Sequence, residues 1–404
     1  GDWSSDVCSS DLVELSGKYA FLIPDDTSVP VDIYIPESHL KGVKNGEKAV
    51  AKITDWPTHS RNPFGEIIKV LGKPGEHDVE MQSILADVDY PVHFPKSVEN
   101  EAKQIPPQIS DKEIRGRKDF RKIFACTVDP EDAKDFDDAL SLRKLQNGNW
   151  QVGIHIADVS FYVNKDSLID EEAFNRGTSV YLVDRVIPML PEVLSNDLCS
   201  LKPKTDKLCY SAVFELDENA KVHDEWFGRT VIHSDQRFNY EEVQAIIEGG
   251  KHEFRDEIIT LDRLAKKLRK IRFDKGAIAF TSQEVKFKLD EKGKPIEAFI
   301  KEQKDSNRMI EDFMLLANRK VAERIGKTRG KENPKTFVYR IHDTPNPDKL
   351  QTFAEFVGKL GYKINTGSGK AISRSLNELF RQIQGKGEEN MIEAIAVRTM
   401  AKAE

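Results

Sequence analysis

The sequence predicts two folds in series, a small all-β barrel and then a larger α+β domain. Three observations carry this. Apolar residues alternate with period two through much of the first 75 positions, strand-like runs then precede helix-like ones, and six acids crowd into ten residues near the start of the second region. A length of 404 residues suits two or three domains at about 150 residues each.

Residues 1–12, GDWSSDVCSSDL, stand apart. They hold three Asp, four Ser and no basic residue, and they lack the charged and apolar regions of a signal peptide. They read like a translated sequencing adapter, so the chain is expected to carry a non-native leader over 1–12 and its first domain over 13–75. In that domain Tyr19, Phe21 and Ile23 alternate, as do Val31, Ile33 and Ile35. Turn signals fall at Pro24-Asp25-Asp26 and Lys44-Asn45-Gly46, and a further strand is expected over 64–70. Several short strands in so few residues suit a Greek-key barrel of the OB type. Tyr19 and Phe21 share a sheet face, where they either stack on single-stranded bases or fill the core.

Residues 76–118 read as a linker, because Pro91, Pro95, Pro106 and Pro107 interrupt any long helix. The second domain is expected over 119–404. Its pattern predicts strands over 123–129, 150–158, 208–216 and 222–233. Helices are predicted over 240–248, 257–271, 307–325, 347–360, 375–383 and 388–402. The last helix runs to the end of the sequence without a cap, so both ends read as breaks in a longer chain. No internal repeat, low-complexity tract or Gly-rich phosphate loop is present.

No apolar run approaches the roughly 18 residues of a membrane span, and the mean hydropathy is −0.53, which excludes a helical membrane protein. Cys8, Cys126, Cys199 and Cys209 form no CxxC pair and read as free thiols of a reducing compartment, the cytoplasm. A net charge of −7 argues, by itself, against a nucleic-acid partner. Its distribution reverses that. Residues 1–12 carry −3 and residues 129–138 carry −5, so the rest of the chain sums to +1.

The acidic run is CTVDPEDAKDFDDAL, residues 126–140. An apolar, β-branched strand ends on Asp129, and Glu131, Asp132, Asp135, Asp137 and Asp138 follow. Carboxylates this close resist joint ionisation unless something neutralises them. A hard divalent cation does so, and a donor set without His or Cys favours Mg²⁺ or Mn²⁺ over Zn²⁺. Two such ions can activate water and stabilise the leaving oxygen of a phosphodiester. The plainer alternative is a solvated acidic loop, which the flanking Phe136 and Ala139-Leu140 weaken. Tyr181, in a β-like run over 178–187, and Phe280 are base-stacking candidates or core residues. The tracts 263–275 and 319–335 hold seven Lys/Arg each and read as phosphate-binding or solvated helix faces. His155 lies on an apolar strand and reads as a core histidine. No cysteine or histidine spacing suggests a nucleophile–base pair or a zinc site.

Four segments carry a resemblance. TVDPEDAKDFDDAL, GIHIADVSFYV, RGTSVYLVDRVIPMLPEVLSNDLCSLKP and DSNRMIEDFMLLANR, in this order over about 120–404, resemble the ribonuclease II/ribonuclease R (RNB) family. The spelling DAKDFDDA is closer to ribonuclease R. The region around GKYAFLIPDD and NPFGEIIKVLG is similar to the cold-shock domain that precedes the catalytic domain there. The resemblance implies a cold-shock OB-fold RNA-binding barrel followed by an incomplete α+β RNB catalytic domain. The implied activity is a processive, hydrolytic 3′→5′ exoribonuclease that releases nucleoside 5′-monophosphates. Mg²⁺, or Mn²⁺, would be its cofactor, and single-stranded or 3′-tailed RNA the partner of a monomer away from membranes.

Carried over by position, Asp129, Asp135, Asp137 and Asp138 match the catalytic aspartates, with Asp129, Asp137 and Asp138 as metal ligands. Tyr181 matches a tyrosine that stacks on the terminal nucleotide. Phe280 and Glu311 match residues that clamp the final nucleotides, with looser spacing around Phe280. Phe161 stands where the family has a second histidine, and Asp312 where it often has glutamate. The family's arginine-bearing segment would follow Glu404, with an S1 domain after it, and a second cold-shock domain is missing. That arginine stabilises charge on the phosphate, so the 404-residue chain alone is expected to be impaired. Two other readings share parts of this pattern: a non-catalytic RNA-binding protein, and a metal-dependent phosphatase or deoxyribonuclease.

Overall fold

A computed structural model describes residues 8–24, 31–280, 284–291, 293–327 and 335–403. The turn expected at Asp25-Asp26 and positions 328–334 of the second basic tract lie outside these residues. Five strands come first, β1 (Cys8–Ser16), β2 (Tyr19–Ile23), β3 (Ile33–Pro36), β4 (Lys48–Asp55) and β5 (Phe64–Gly72). Helices α1 (His77–Asp87), α2 (Lys96–Gln104) and α3 (Asp111–Arg115) follow. Next come β6 (Lys118–Asp119), β7 (Ala125–Asp129), β8 (Asp138–Lys144), β9 (Trp150–Ala157), α4 (Val159–Tyr162) and α5 (Leu168–Arg176). A two-strand pair, β10 (Val180–Tyr181) and β11 (Val186–Ile187), leads to β12 (Asp206–Leu216), β13 (Val222–His233) and β14 (Gln236–Asn239). Then come α6 (Tyr240–Ile247), α7 (Arg255–Asp274), β15 (Glu284–Leu289) and β16 (Pro295–Lys301). The chain ends in α8 (Asp305–Gly326), α9 (Pro347–Lys359), α10 (Gly369–Ile383) and α11 (Glu389–Thr399).

These elements form two compact units. One takes residues up to 105, 163–193 and 287–298, and the other takes 106–162, 194–286 and 299–404. In the first, β1-β2-β3-β5-β4 close into a barrel around Val13, Ala20, Leu22, Ile33, Ile35, Ala49, Ala51 and Ile67. The period-two pattern is why these residues point inward while Tyr19 and Phe21 point out. The barrel starts earlier than the expected boundary at Val13. Residues 8–12 pair with β4, from Cys8 opposite Lys52 to Leu12 opposite Lys48, and so close it. Ladder hydrogen bonds join main-chain groups, so an unpatterned segment can supply an edge.

The expected linker over 76–118 is also structured. Within the first unit, α1 docks on the barrel through buried Lys48, whose ammonium meets Glu80 at 3.0 Å. Residues 163–193 group with this unit too. Arg185 pairs with Asp78 at 2.7 Å, the Tyr90 hydroxyl donates to the Thr178 carbonyl, and the Arg176 guanidinium lies 3.7 Å over the Phe94 ring.

The second unit is α+β, as expected. Its sheet runs β14-β7-β8-β9-β12-β13-β6, antiparallel except for the β14–β7 and β13–β6 pairs. One face is covered by α6, α7 and α8, with Leu140, Ile154, Phe214, Phe238, Leu261 and Phe313 in the core. Asn239 starts α6 with a reciprocal cap: its side chain accepts from the Glu242 amide at 2.7 Å, and the Glu242 carboxylate accepts from the Asn239 amide at 2.8 Å. His155 is the core histidine expected. Ser211 lies 2.7 Å from Nδ1 and Ser141 2.8 Å from Nε2, and burial pushes its pKa down to about 3. Gly153 makes room for it, because a Cβ there would stand 2.5 Å from Nε2. Helices α9–α11 gather around Phe353, Leu376, Phe380 and Ile392. Among the described residues no helix is long and apolar enough to cross a membrane.

Candidate active site

Strand β7 delivers Asp129 at its last position and β8 begins with Asp138, so the loop between two neighbouring strands carries the remaining aspartates. Segments far away in sequence hold that loop. Ser200 binds its backbone through Phe136 and Lys134, and the Leu201 amide donates to the Phe136 carbonyl at 2.8 Å. The Ala157 amide donates to the Asp137 carbonyl at 2.9 Å. From β14, the Arg237 guanidinium donates to the Pro130 and Glu131 carbonyls at 2.5 and 2.8 Å.

The charges are under strain in this setting. Asp129 is 9% exposed, and burial, then the Asp138 charge, pushes its pKa up to about 7. Burial and the neighbouring Asp137 push Asp138 up to about 6. Asp137 is displaced upward as well, by the protein around it and by Asp135. The Tyr240 hydroxyl, at the first position of α6, is pushed up to about 12 by burial and then by Asp138 and Asp129. The Asp129 Oδ2 atom and the Thr127 hydroxyl are buried together, and the hydroxyl offsets part of the rise at Asp129. Clustered, partly buried carboxylates that resist ionisation are a donor set suited to a hard divalent cation. The side chains do not stand in a finished ligand set: among the described residues no three His, Cys, Asp or Glu gather where they could share a metal ion.

The other expected residues are more dispersed. Tyr181 is 67% exposed and lies in the first unit. Phe280 follows α7 in irregular chain and packs on Phe380, with ring centroids 5.4 Å apart. Glu311 is exposed on α8, with the Arg272 guanidinium 3.5 Å away. Its neighbour Asp312 is buried and binds Arg269 at 2.8 Å and Arg272 at 3.0 Å, so the shorter carboxylate is fully used. Phe161 lies beneath the Arg117 guanidinium at 5.3 Å, an arrangement that suits an aromatic ring.

On the barrel, Tyr19 and Phe21 join Tyr34 and Phe64 in a four-ring cluster with neighbouring centroids 5.1–5.9 Å apart. Tyr34 was legible, since it alternates with the inward Ile33 and Ile35. Phe64 reaches the cluster only because β5 pairs with β3. Ser200, Arg237 and Tyr240 had no sequence signal, because nothing local connects them to the aspartates. In the basic tract over 263–275, five of the seven basic side chains are engaged within the protein. Arg263 and Lys267 bind Glu218, Lys266 binds Asp262 and Asp305, and Arg269 and Arg272 bind Asp312. Its charges tie α7 to α8 and to the β12–β13 turn. In the second tract Lys320 pairs with Glu225 at 2.9 Å, and Arg324 lies over Phe227 at 5.2 Å. Cys126, Cys199 and Cys209 are buried free thiols, Cys199 pushed up to about 12 by burial, which suits packing and not nucleophilic chemistry.

Comparison with known proteins accounts for both units. The RNB domain family matches residues 117–404 and the cold shock domain family matches residues 21–95. The chain is 37% identical over 401 residues to ribonuclease R of Thermotoga maritima, covering 96% of this chain and 55% of that protein. It is 36% identical to the human exosome complex exonuclease RRP44, covering 86% of this chain and 37% of that one. The chain thus spans about half, or less, of the length of these relatives. The fold matches Mycoplasma genitalium RNase R in complex with double-stranded RNA, with a TM-score of 0.87 at 24% identity, over 98% of this chain and 70% of that one. It also matches yeast Ssd1, described as a pseudonuclease, with a TM-score of 0.75 at 21% identity, over 98% of this chain and 49% of that one. Fold by itself therefore does not decide activity. The chain belongs to the RNB-domain family and carries a cold-shock barrel ahead of its RNB domain.

Proposed function

We propose that this chain is the RNA-binding and catalytic part of a hydrolytic exoribonuclease. It degrades single-stranded or 3′-tailed RNA processively from the 3′ end and releases nucleoside 5′-monophosphates with Mg²⁺, or Mn²⁺, as cofactor. The observation that carries this is the aspartate pair at the β7–β8 loop, Asp129 and Asp138, both raised by burial despite the Thr127 hydroxyl beside Asp129. A binding module has no use for uncompensated negative charge where it meets RNA. The kinship with ribonuclease R supports the same reading.

Asp129, Asp137 and Asp138 would hold the metal, and Asp135 adds the fourth negative charge. A bound divalent cation supplies a more acidic water and neutralises charge at the phosphate. The chain's own groups do the rest. Arg237 and Ser200 hold the loop so that its carboxylates stay in place. Tyr181 stacks on the terminal base, and Phe280 and Glu311 engage the last nucleotides. Tyr19, Phe21, Tyr34 and Phe64 offer stacking surface to the incoming strand. The enzyme works as a monomer in the cytoplasm. Cleavage is best assayed with enzyme in excess of RNA. Under those conditions Mg²⁺ should release mononucleotides from a 3′-tailed RNA, EDTA should stop this, and Asp138→Asn should abolish cleavage while RNA still binds. Binding without any metal-dependent cleavage would sink the nuclease reading.

A further inference from the structure

Strands β8, β9, β12 and β13 lie side by side in the sheet of the second unit. Their register places Asp138 opposite Ile156, Ile156 opposite Tyr210, and Tyr210 opposite Arg229. Residues directly opposite one another across a ladder share a sheet face, so these four side chains form one row. The next row on that face is Leu140, Ile154, Ala212 and Phe227, and it packs beneath α6–α8. The Asp138 row lies one pleat further on, and past the partly buried Asp138 it is open. Ile156 is 42% exposed, Tyr210 is 54% exposed, and half of the Arg229 side chain faces solvent. An isoleucine and a tyrosine bared side by side on inner strands contribute little to a core. They connect a candidate catalytic carboxylate to a guanidinium.

We infer that Ile156, Tyr210 and Arg229 form a nucleotide subsite, which holds the base and phosphate of the RNA residue adjoining the scissile bond. This rests on the nuclease reading above and names part of the surface that serves it. Strand spacing puts Tyr210 about 10 Å and Arg229 about 14 Å from Asp138 along the row. Tyr210 offers a ring for a base to stack on, and Ile156 offers an apolar floor beside it. Arg229 offers a planar donor fork to a phosphate. It is placed to do so. Asp158 already has Arg117 at 2.7 Å, both side chains almost wholly buried, while Arg229 stands off at 3.4 Å. Charge complementarity therefore favours a polyanion over an apolar peptide at the Arg229 end.

The test is fluorescence anisotropy of a 5′-fluorescein oligoadenylate titrated with the full chain in EDTA, between about 50 and 200 mM salt. Tyr210→Thr, which keeps a strand-forming residue, should weaken binding about five-fold or more, and Tyr210→Phe should bind as the parent does. Arg229→Gln should weaken binding and lower the slope of log Kd against log salt by about 0.7. Circular dichroism and thermal melting show whether the variants are folded. Folded Tyr210→Thr and Arg229→Gln chains with the parent's affinity and salt slope overturn the subsite, and leave the nuclease reading standing. Failure of the unsubstituted chain to bind the RNA overturns that reading, and the subsite with it.

Discussion

The Ser200 hydroxyl accepts a hydrogen bond from the Phe136 amide at 3.0 Å and donates one to the Lys134 carbonyl at 2.8 Å. Ser200 is fully buried, so water cannot replace either bond. The turn that presents Asp135, Asp137 and Asp138 is thus set by a residue with no chemistry of its own. Ser200→Ala leaves a donor and an acceptor unsatisfied and should cost about 1–3 kcal/mol. It should lower the melting temperature and weaken Mn²⁺ binding measured by electron paramagnetic resonance. Unchanged Mn²⁺ affinity would show that the turn holds its shape without this serine.

Asp129 gives a pH signature in the metal-free chain. Its folded pKa, about 7, is above its unfolded value, so the folded state retains a proton that the unfolded state gives up. The resulting stabilisation is fully present below the ordinary aspartate pKa of about 3.9 and is lost as pH rises through about 7. Asp138 behaves alike, up to about 6. Asp129→Asn should therefore raise stability at pH near 8 by about 1–3 kcal/mol, with the gain shrinking toward pH 4. Added Mg²⁺ should stabilise the parent more than the variant. Urea titrations across this range check both points, and a gain independent of pH would contradict the assignment.

Arg117 and Asp158 form an ion pair with both side chains about 1% exposed. Arg117 also donates to the Cys209 and Thr230 carbonyls, and thereby ties the segment after α3 to the sheet. Arg117→Met strands a buried carboxylate and should cost about 3–5 kcal/mol, whereas Arg117→Met with Asp158→Leu should recover much of the loss. Equal losses in the single and double variants, measured by urea denaturation, would show that the charge pair is not what the site requires.

The aromatic cluster on the barrel predicts a separate effect. Tyr34→Ala and Phe64→Ala should each weaken single-stranded RNA binding by about 1–3 kcal/mol while leaving the melting temperature nearly unchanged, because both rings sit outside the barrel core. If melting falls and binding does not, the four rings brace the barrel and do not receive bases.

Part of this was legible in one dimension. The alternation around Tyr19–Ile23 and Ile33–Ile35 and the mixed strands and helices beyond residue 120 were readable as patterns, because helix and strand periods are local properties. The aspartates were readable because five of the six acids lie within ten positions of Asp129 on one loop and its flanking strands. Other features depended on pairing between distant segments. The closing of the barrel by residues 8–12, the grouping of 163–193 with the first unit, and the anchoring of the aspartate loop by Ser200 and Arg237 are of this kind. So is the row from Asp138 to Arg229, assembled from four strands spread over more than ninety residues. Sequence by itself determined which residues bear charge and, where the apolar period is regular, which segments become strands or helices. Only the tertiary structure decided which charges are desolvated and which exposed side chains line up, because burial and strand register arise when segments meet.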